Sequence, residues 1–216
     1  MNSFYISTTW FLFFCVIDKF YSNNHVNLLF SILSSIGGLY GYLYFPSDIN
    51  MNYGNWWFST HIIQMTLSYF TYDIFACIYH HFGTLFLLHG MMSFITYYSC
   101  FQGYFPKYGM FFLTYEFSTI FLSLTKIINP KYNFLIMVNQ ILFAIFFFIF
   151  RILWGTIVSI EAIQFLLLET ENIIVNNTML FLTICFIILN QYWFYKVVKK
   201  IYKKITNKNI SVKSYE

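Results

Sequence analysis

The sequence predicts an all-α polytopic membrane protein, with about seven transmembrane helices forming a bundle around a polar interior. Composition is the first reason: 59% of the 216 residues are hydrophobic and 9% are charged, against roughly 25% charged in a soluble domain. Mean hydropathy is +0.62. The second is a repeated pattern of apolar runs, each about one membrane thickness long, separated by short polar breaks. The third is that ionisable residues inside those runs are few and recur at helical spacing, giving several spans one polar face each. At about 20 residues per span plus connections, the chain holds roughly six to eight spans and has no room for a soluble catalytic domain.

The runs place spans near residues 4–20, 26–45, 56–78, 82–101, 109–128, 134–157 and 178–198. The first follows Met1-Asn2-Ser3 with no basic leader, and no small-residue cleavage site comes after it, so it reads as a retained span. Turn residues punctuate the breaks, as in Pro46-Ser47-Asp48-Ile49-Asn50, Gln102 through Lys107, and Asn129-Pro130-Lys131. After the last run, Lys196, Lys199, Lys200, Lys203, Lys204, Lys208 and Lys213 form a basic tail, which the positive-inside rule puts in the cytoplasm. Seven spans then put the N-terminus on the opposite side. Lys19, Lys126 and Lys131 fall on the side of the tail, whereas Lys107 lies opposite with Asp48, Glu161, Glu169 and Glu171. A glycosylation sequon, Asn176-Asn177-Thr178, also falls on the non-cytoplasmic side, against the last span; Asn209-Ile210-Ser211, in the tail, is expected to be silent.

Charge within a bilayer is costly, so Asp73, His89, Glu116 and Arg151, with His61 beside them, are the functional candidates. At a rise of about 1.5 Å per residue, His61, Glu116 and Arg151 reach about 7–10 Å below the non-cytoplasmic boundary and are expected to share a layer. His89 lies deeper, near the midplane, and Asp73 nearer the cytoplasmic end of its span. Glu116, Thr119, Ser123 and Lys126 form a polar stripe at i, i+3, i+7 and i+10; Gln140 and Arg151 share a face, as do His61, Gln64 and Ser68. The simplest account of Glu116 and Arg151 is a structural ion pair locking two spans. His80-His81 sits in a short cytoplasmic connection, where interfacial polar residues are ordinary. Cys15, Cys77, Cys100 and Cys185 have neither disulfide nor zinc spacing, and five scattered histidines are too few for a di-iron site. No metal, cofactor or nucleic-acid partner is expected.

Four patches together resemble the TLC (TRAM-LAG1-CLN8) domain family, whose members include ceramide synthases and smaller multi-pass proteins of lipid-handling membranes. They are Tyr69-Phe70-Thr71-Tyr72-Asp73, Leu87-Leu88-His89-Gly90, Tyr115-Glu116-Phe117-Ser118-Thr119 running on to Lys126, and Asn190-Gln191-Tyr192-Trp193-Phe194. Their order and spacing cover about residues 20–200. The family's paired histidines fall on His89-Gly90, so the second is missing; His80-His81 is the fallback placement. The synthase His-Asp pair becomes Tyr115-Glu116 and its second Asp becomes Thr119, while Ser118, Leu122 and Lys126 match. The chain therefore looks like the smaller, non-synthase branch. The runs and charges set apart an N-terminal transmembrane helix over 1–20 and a Lys-rich cytoplasmic tail over 201–216; the resemblance implies a TLC-like domain over 21–200 and an endoplasmic-reticulum-like membrane, whose lumen would then hold the N-terminus.

Two functions follow from these residues. In one, the protein binds, senses or handles membrane lipids of the sphingolipid or acyl-chain class in an intramembrane cavity, with His61, Tyr115, Ser118, Thr119 and Arg151 as binding groups. In the other it is an N-acyltransferase of the ceramide-synthase type using acyl-CoA. There His89 is base or nucleophile, and Glu116 or Asp73 orients it or shuttles the proton. The missing His and Asp count against the second, because acyl transfer needs both an activated nucleophile and a stabilised oxyanion. Protein partners are not legible in the sequence.

Overall fold

A computed structural model describes residues 3–44, 53–168 and 172–213. Asp48, Glu169 and Glu171, the Pro46–Asn50 turn and the end of the tail lie outside the described residues. Helices α1 (Ser3–Phe20), α2 (Asn23–Tyr44), α3 (Tyr53–Tyr79) and α4 (Thr84–Phe101) come first. The short α5 (Pro106–Phe112) passes through one 3₁₀ turn, Leu113–Tyr115, into α6 (Glu116–Ile127). Then α7 (Asn133–Phe147) continues through a π-helical turn, Phe148–Leu153, into α8 (Trp154–Leu168), and α9 (Ile173–Lys213) ends the chain. There is no strand among the described residues. The protein is an all-α membrane protein, and the predicted spans fall on seven helical rods.

Three of these helical stretches, Asn23–Tyr44, Asn133–Leu168 and Ile173–Lys203, are long and apolar enough on their own to cross a membrane. Helices α3 and α4 carry buried polar side chains, Ser59, Gln64, Thr66 and Ser68 on α3 and Ser93 and Thr96 on α4. Polar groups turned toward neighbouring helices lower a segment's average hydropathy without exposing them to lipid.

The last two rods are longer than the apolar runs indicate. Helix continues past residue 157 to Leu168 because Val158 through Leu168 contains no Pro or Gly; its lone acid, Glu161, is exposed in mid-helix and is not in a loop. The loop before α9 is correspondingly short. Asn172 caps α9, its Oδ1 accepting from the Val175 amide at 3.2 Å, and its Nδ2 donates to Tyr104 Oη at 3.3 Å. Asn176, the sequon acceptor, therefore lies in the first turns of α9 and is 7% exposed. In the folded protein its backbone is helical and its side chain buried, unlike the extended, accessible segment that a glycosylating enzyme binds. Helix α9 has 41 residues, about 60 Å at 1.5 Å per residue, so it outruns a hydrocarbon core of about 30 Å and carries the lysine-rich tail as helix.

Helix α2 is the packing centre of the N-terminal half. Its buried face is almost all small: Ser31, Ser34, Ser35, Gly37, Gly38 and Gly41. Small residues let helix backbones approach closely where no hydrophobic force drives helices together. A Cβ on Gly38 would lie 2.6 Å from the Met110 carbonyl oxygen and 2.5 Å from Leu113 Cβ, both on the α5–3₁₀ segment. On the other side, α2 and α3 share a ladder: Tyr69 Oη donates to Asn27 Oδ1 (3.0 Å), Asn27 Nδ2 to Asn23 Oδ1 (3.0 Å), and Asn23 Nδ2 to Tyr72 Oη (3.0 Å). Phe14 of α1 and Phe30 of α2 pack on these tyrosine rings, with Phe30 and Tyr69 parallel. Tyr97 Oη of α4 donates to the Gly109 carbonyl (3.0 Å), fixing α4 to α5.

Gly38→Val is expected to cost about 1–3 kcal/mol, because a backbone carbonyl cannot yield to the new side chain; thermal unfolding in mild detergent measures it, and Ile36→Val, on an exposed position of the same helix, is the control. Asn176 is expected to carry no glycan in a eukaryotic host, so Asn176→Gln and glycosidase treatment should leave gel mobility unchanged.

Candidate functional site

Arg151, the only arginine in the chain, sits in the π-helical turn between α7 and α8 and is 7% exposed. A π turn holds one residue more than an α turn and is often found at functional positions. It also breaks the straight-helix assumption that put Gln140 and Arg151 on one face: Arg151 lines the central cavity and Gln140 does not. The guanidinium donates in every direction. Nε reaches the Tyr115 carbonyl and Ser118 Oγ (both 3.1 Å), one terminal nitrogen reaches Asn190 Oδ1 (3.4 Å), and the other reaches Glu116 Oε1 (3.3 Å) and Thr119 Oγ1 (3.1 Å). Rings of Phe147, Tyr115 and Trp193 lie 5.2, 5.8 and 6.0 Å from its central carbon. The expected Glu116–Arg151 pair therefore forms, inside a network joining α6, the π turn and α9.

Beside this network lies a cavity of about 280 Å³. The whole predicted stripe of α6, Glu116, Thr119, Ser123 and Lys126, lines it. So do Asp73 from α3, His89 from α4, Ser118, Arg151, and Trp193 and Lys196 from α9. Leu122, Phe143, Phe147 and Val197 supply apolar wall. His89 is wedged edge-on among Phe70, Phe186 and Trp193, with ring centroids 5.2–6.0 Å away, and its Nδ1 is buried without a hydrogen-bond partner. Asp73 faces Gly90, where a Cβ would come 3.1 Å from its Oδ2. Gly90 is thus the point at which the Asp73 carboxylate meets α4.

The sequence-predicted residues divide clearly. Asp73, His89, Glu116, Ser118, Thr119 and Arg151 line one cavity. Tyr115 is turned from it: its hydroxyl donates to the Gly155 carbonyl (3.2 Å) and lies 3.4 Å from Ser159 Oγ, bracing α8. Tyr115 borders instead a second, smaller space of about 30 Å³ behind the Arg151 network. His61 lines neither cavity. A depth count places residues along a helix axis but not around it, and the turn of α3 that carries Asp73 to the cavity carries His61 elsewhere. His80 and His81 are exposed, and His80 Nε2 lies 3.6 Å from Asp18 Oδ2 of α1. This is the fallback pair, and it is remote from the cavity. No cluster of three or more metal-ligating side chains occurs among the described residues.

Asn190, Trp193, Lys196 and Asn27 are cavity or network residues that the reading of ionisable groups passed over. Asn190 had a visible signal: an amide in the middle of an otherwise apolar run. Lys196 did not, because nothing in sequence separates it from the tail lysines that follow.

A buried cationic network beside a cavity lined by both polar and apolar side chains, set among long apolar helices, is the architecture of an integral membrane protein. The chain belongs to the TLC (TRAM-LAG1-CLN8) domain family, whose model matches residues 4–199. Comparison with the curated proteins gives no match.

Arg151→Met is expected to destabilise the protein by about 3–5 kcal/mol, because it leaves Glu116 buried without its cation. Arg151→Lys should recover only part of this, since an ammonium cannot serve five acceptors spread around a planar fork. Unfolding in detergent measures both; the double variant Glu116→Gln/Arg151→Met, in which no charge is stranded, should be more stable than Arg151→Met alone.

Proposed function

We propose that the protein binds and handles membrane lipid, of the sphingolipid or acyl-chain class, in the cavity between α3, α4, α6 and α9. The observation that carries this reading is the cavity itself, whose lining combines hydrogen-bonding groups with aromatic and aliphatic side chains. A lipid carries the same two chemistries in one molecule. Asp73, His89, Ser118, Thr119 and Glu116 are the groups that meet its polar part, and Phe143, Phe147 and Leu122 meet its chain. Arg151 acts mainly by holding Glu116, Ser118 and Thr119 in position. The membrane is endoplasmic-reticulum-like, crossed seven times, with α9 ending in the cytoplasm; the lysine excess from Lys196 onward supports that orientation.

A second reading, N-acyl transfer from acyl-CoA, has one observation in its favour: His89 shares the cavity with two carboxylates, Asp73 and Glu116. General base or nucleophilic catalysis requires the histidine to be oriented by a partner. The Nδ1 of His89 has none, and Glu116 is committed to Arg151. Binding without turnover fits this arrangement better.

Protein purified in mild detergent and extracted with organic solvent is expected to yield a co-purifying lipid by mass spectrometry. Its amount should fall severalfold in His89→Ala and Glu116→Ala variants whose unfolding temperatures show them folded. Incubation with labelled acyl-CoA and a long-chain base should give no N-acylated product. Product that disappears in both variants would establish the transferase reading, and wild-type protein free of lipid would sink the binding one.

A further inference from the structure

The lysines that line the cavity belong to two different helices. Lys126 is in the last turn of α6 and Lys196 is on α9, seventy residues later in the chain. Both side chains are exposed while lining the cavity, which places them at its rim. Neither forms an ion pair among the described residues: the two pairs there are Asp18 with His80 and Glu116 with Arg151. Lys196 has only the ring of Tyr192, one turn back on its own helix, 4.6 Å from its ammonium. Neither cavity carboxylate pairs with them among the described residues: Glu116 is bound by Arg151, and Asp73 lies within no ion pair. Three cations therefore face two carboxylates around one space, and the unmatched charge is at the rim.

Two ammonium groups held by separate helices at the edge of an apolar-walled cavity suit a compact anion with several acceptor oxygens. A neutral headgroup would leave the excess positive charge of the cavity unmatched. We propose that Lys126 and Lys196 form a clamp for a phosphate group, and that the ligand is an anionic phosphate-bearing amphiphile whose chain enters the cavity past them. This rests on the lipid-binding reading and extends it: the anionic headgroup is held at the rim, outside the polar linkage that Asp73, His89, Glu116, Ser118 and Thr119 meet within the cavity. Lys199, Lys200 and Lys203 do not line the cavity and serve as an internal control for general attraction to anionic surfaces.

The test measures binding of short-chain phosphatidic acid and of diacylglycerol with the same chains to full-length protein in uncharged detergent. Wild type is compared with Lys126→Gln/Lys196→Gln and with Lys199→Gln/Lys200→Gln. The clamp predicts that phosphatidic acid binds more tightly than diacylglycerol by about thirtyfold, from two lysines near the headgroup. The Lys126→Gln/Lys196→Gln variant should lose that preference while keeping diacylglycerol binding, and the Lys199→Gln/Lys200→Gln variant should keep it. Lys126→Arg/Lys196→Arg should retain it too. Equal binding of the two lipids by wild type overturns the clamp but leaves lipid binding standing, as does an equal loss in both Gln variants. Failure of both lipids to bind overturns the lipid reading itself. Competition identifies the phosphate source: displacement of phosphatidic acid by acyl-CoA at equal concentration points to a thioester amphiphile, displacement by inorganic phosphate alone to a site that reads phosphate without a chain, and resistance to both to a lipid headgroup.

Discussion

A guanidinium in a lipid-embedded bundle has to find its acceptors within the protein, since bilayer hydrocarbon offers none and an unpaired charge there costs several kcal/mol. Arg151 meets that demand by drawing acceptors from three places: the Tyr115 carbonyl, the side chains of Ser118, Glu116 and Thr119, and Asn190 on α9. The rest of the C-terminal half follows. The π turn presents Arg151 inward, the 3₁₀ turn before α6 leaves the Tyr115 carbonyl available, and α9 is held at the depth of Asn190. The charge therefore acts as a register pin, a role better attested for buried ionic groups than net stabilisation.

The N-terminal half meets the same constraint without charge. Asn23, Asn27, Tyr69 and Tyr72 satisfy one another across α2 and α3, and the small face of α2 admits the backbone of the α5 segment. The two halves meet at the cavity, where Asn27 and Tyr69 of the neutral ladder and Arg151 of the ionic network line one space. The cavity exists because two rigid polar assemblies, built on different helices, fix the separation of their supports. Gly90 and Asp73 contribute in the same way, since a side chain at position 90 would crowd the carboxylate, its Cβ coming 3.1 Å from Oδ2.

What the sequence by itself determined is the membrane class, the succession of helical rods and the polar stripe of α6, because each depends on composition or on a period within one segment. Glu116, Thr119, Ser123 and Lys126 share a face in any straight helix, and an acid and a lone arginine at one depth in lipid have to meet. Tertiary structure decided what depends on rotation about a helix axis or on a neighbour from a distant segment. The π turn separates Gln140 from Arg151, the orientation of α3 sends Asp73 to the cavity and His61 away, and Tyr115 turns to brace α8. Lys196 becomes a cavity residue only because α9 packs beside α4 and the π turn. Apolar periodicity reports which residues lie on a helix and roughly how deep. It does not report which neighbour each face meets, and the site is made from those meetings.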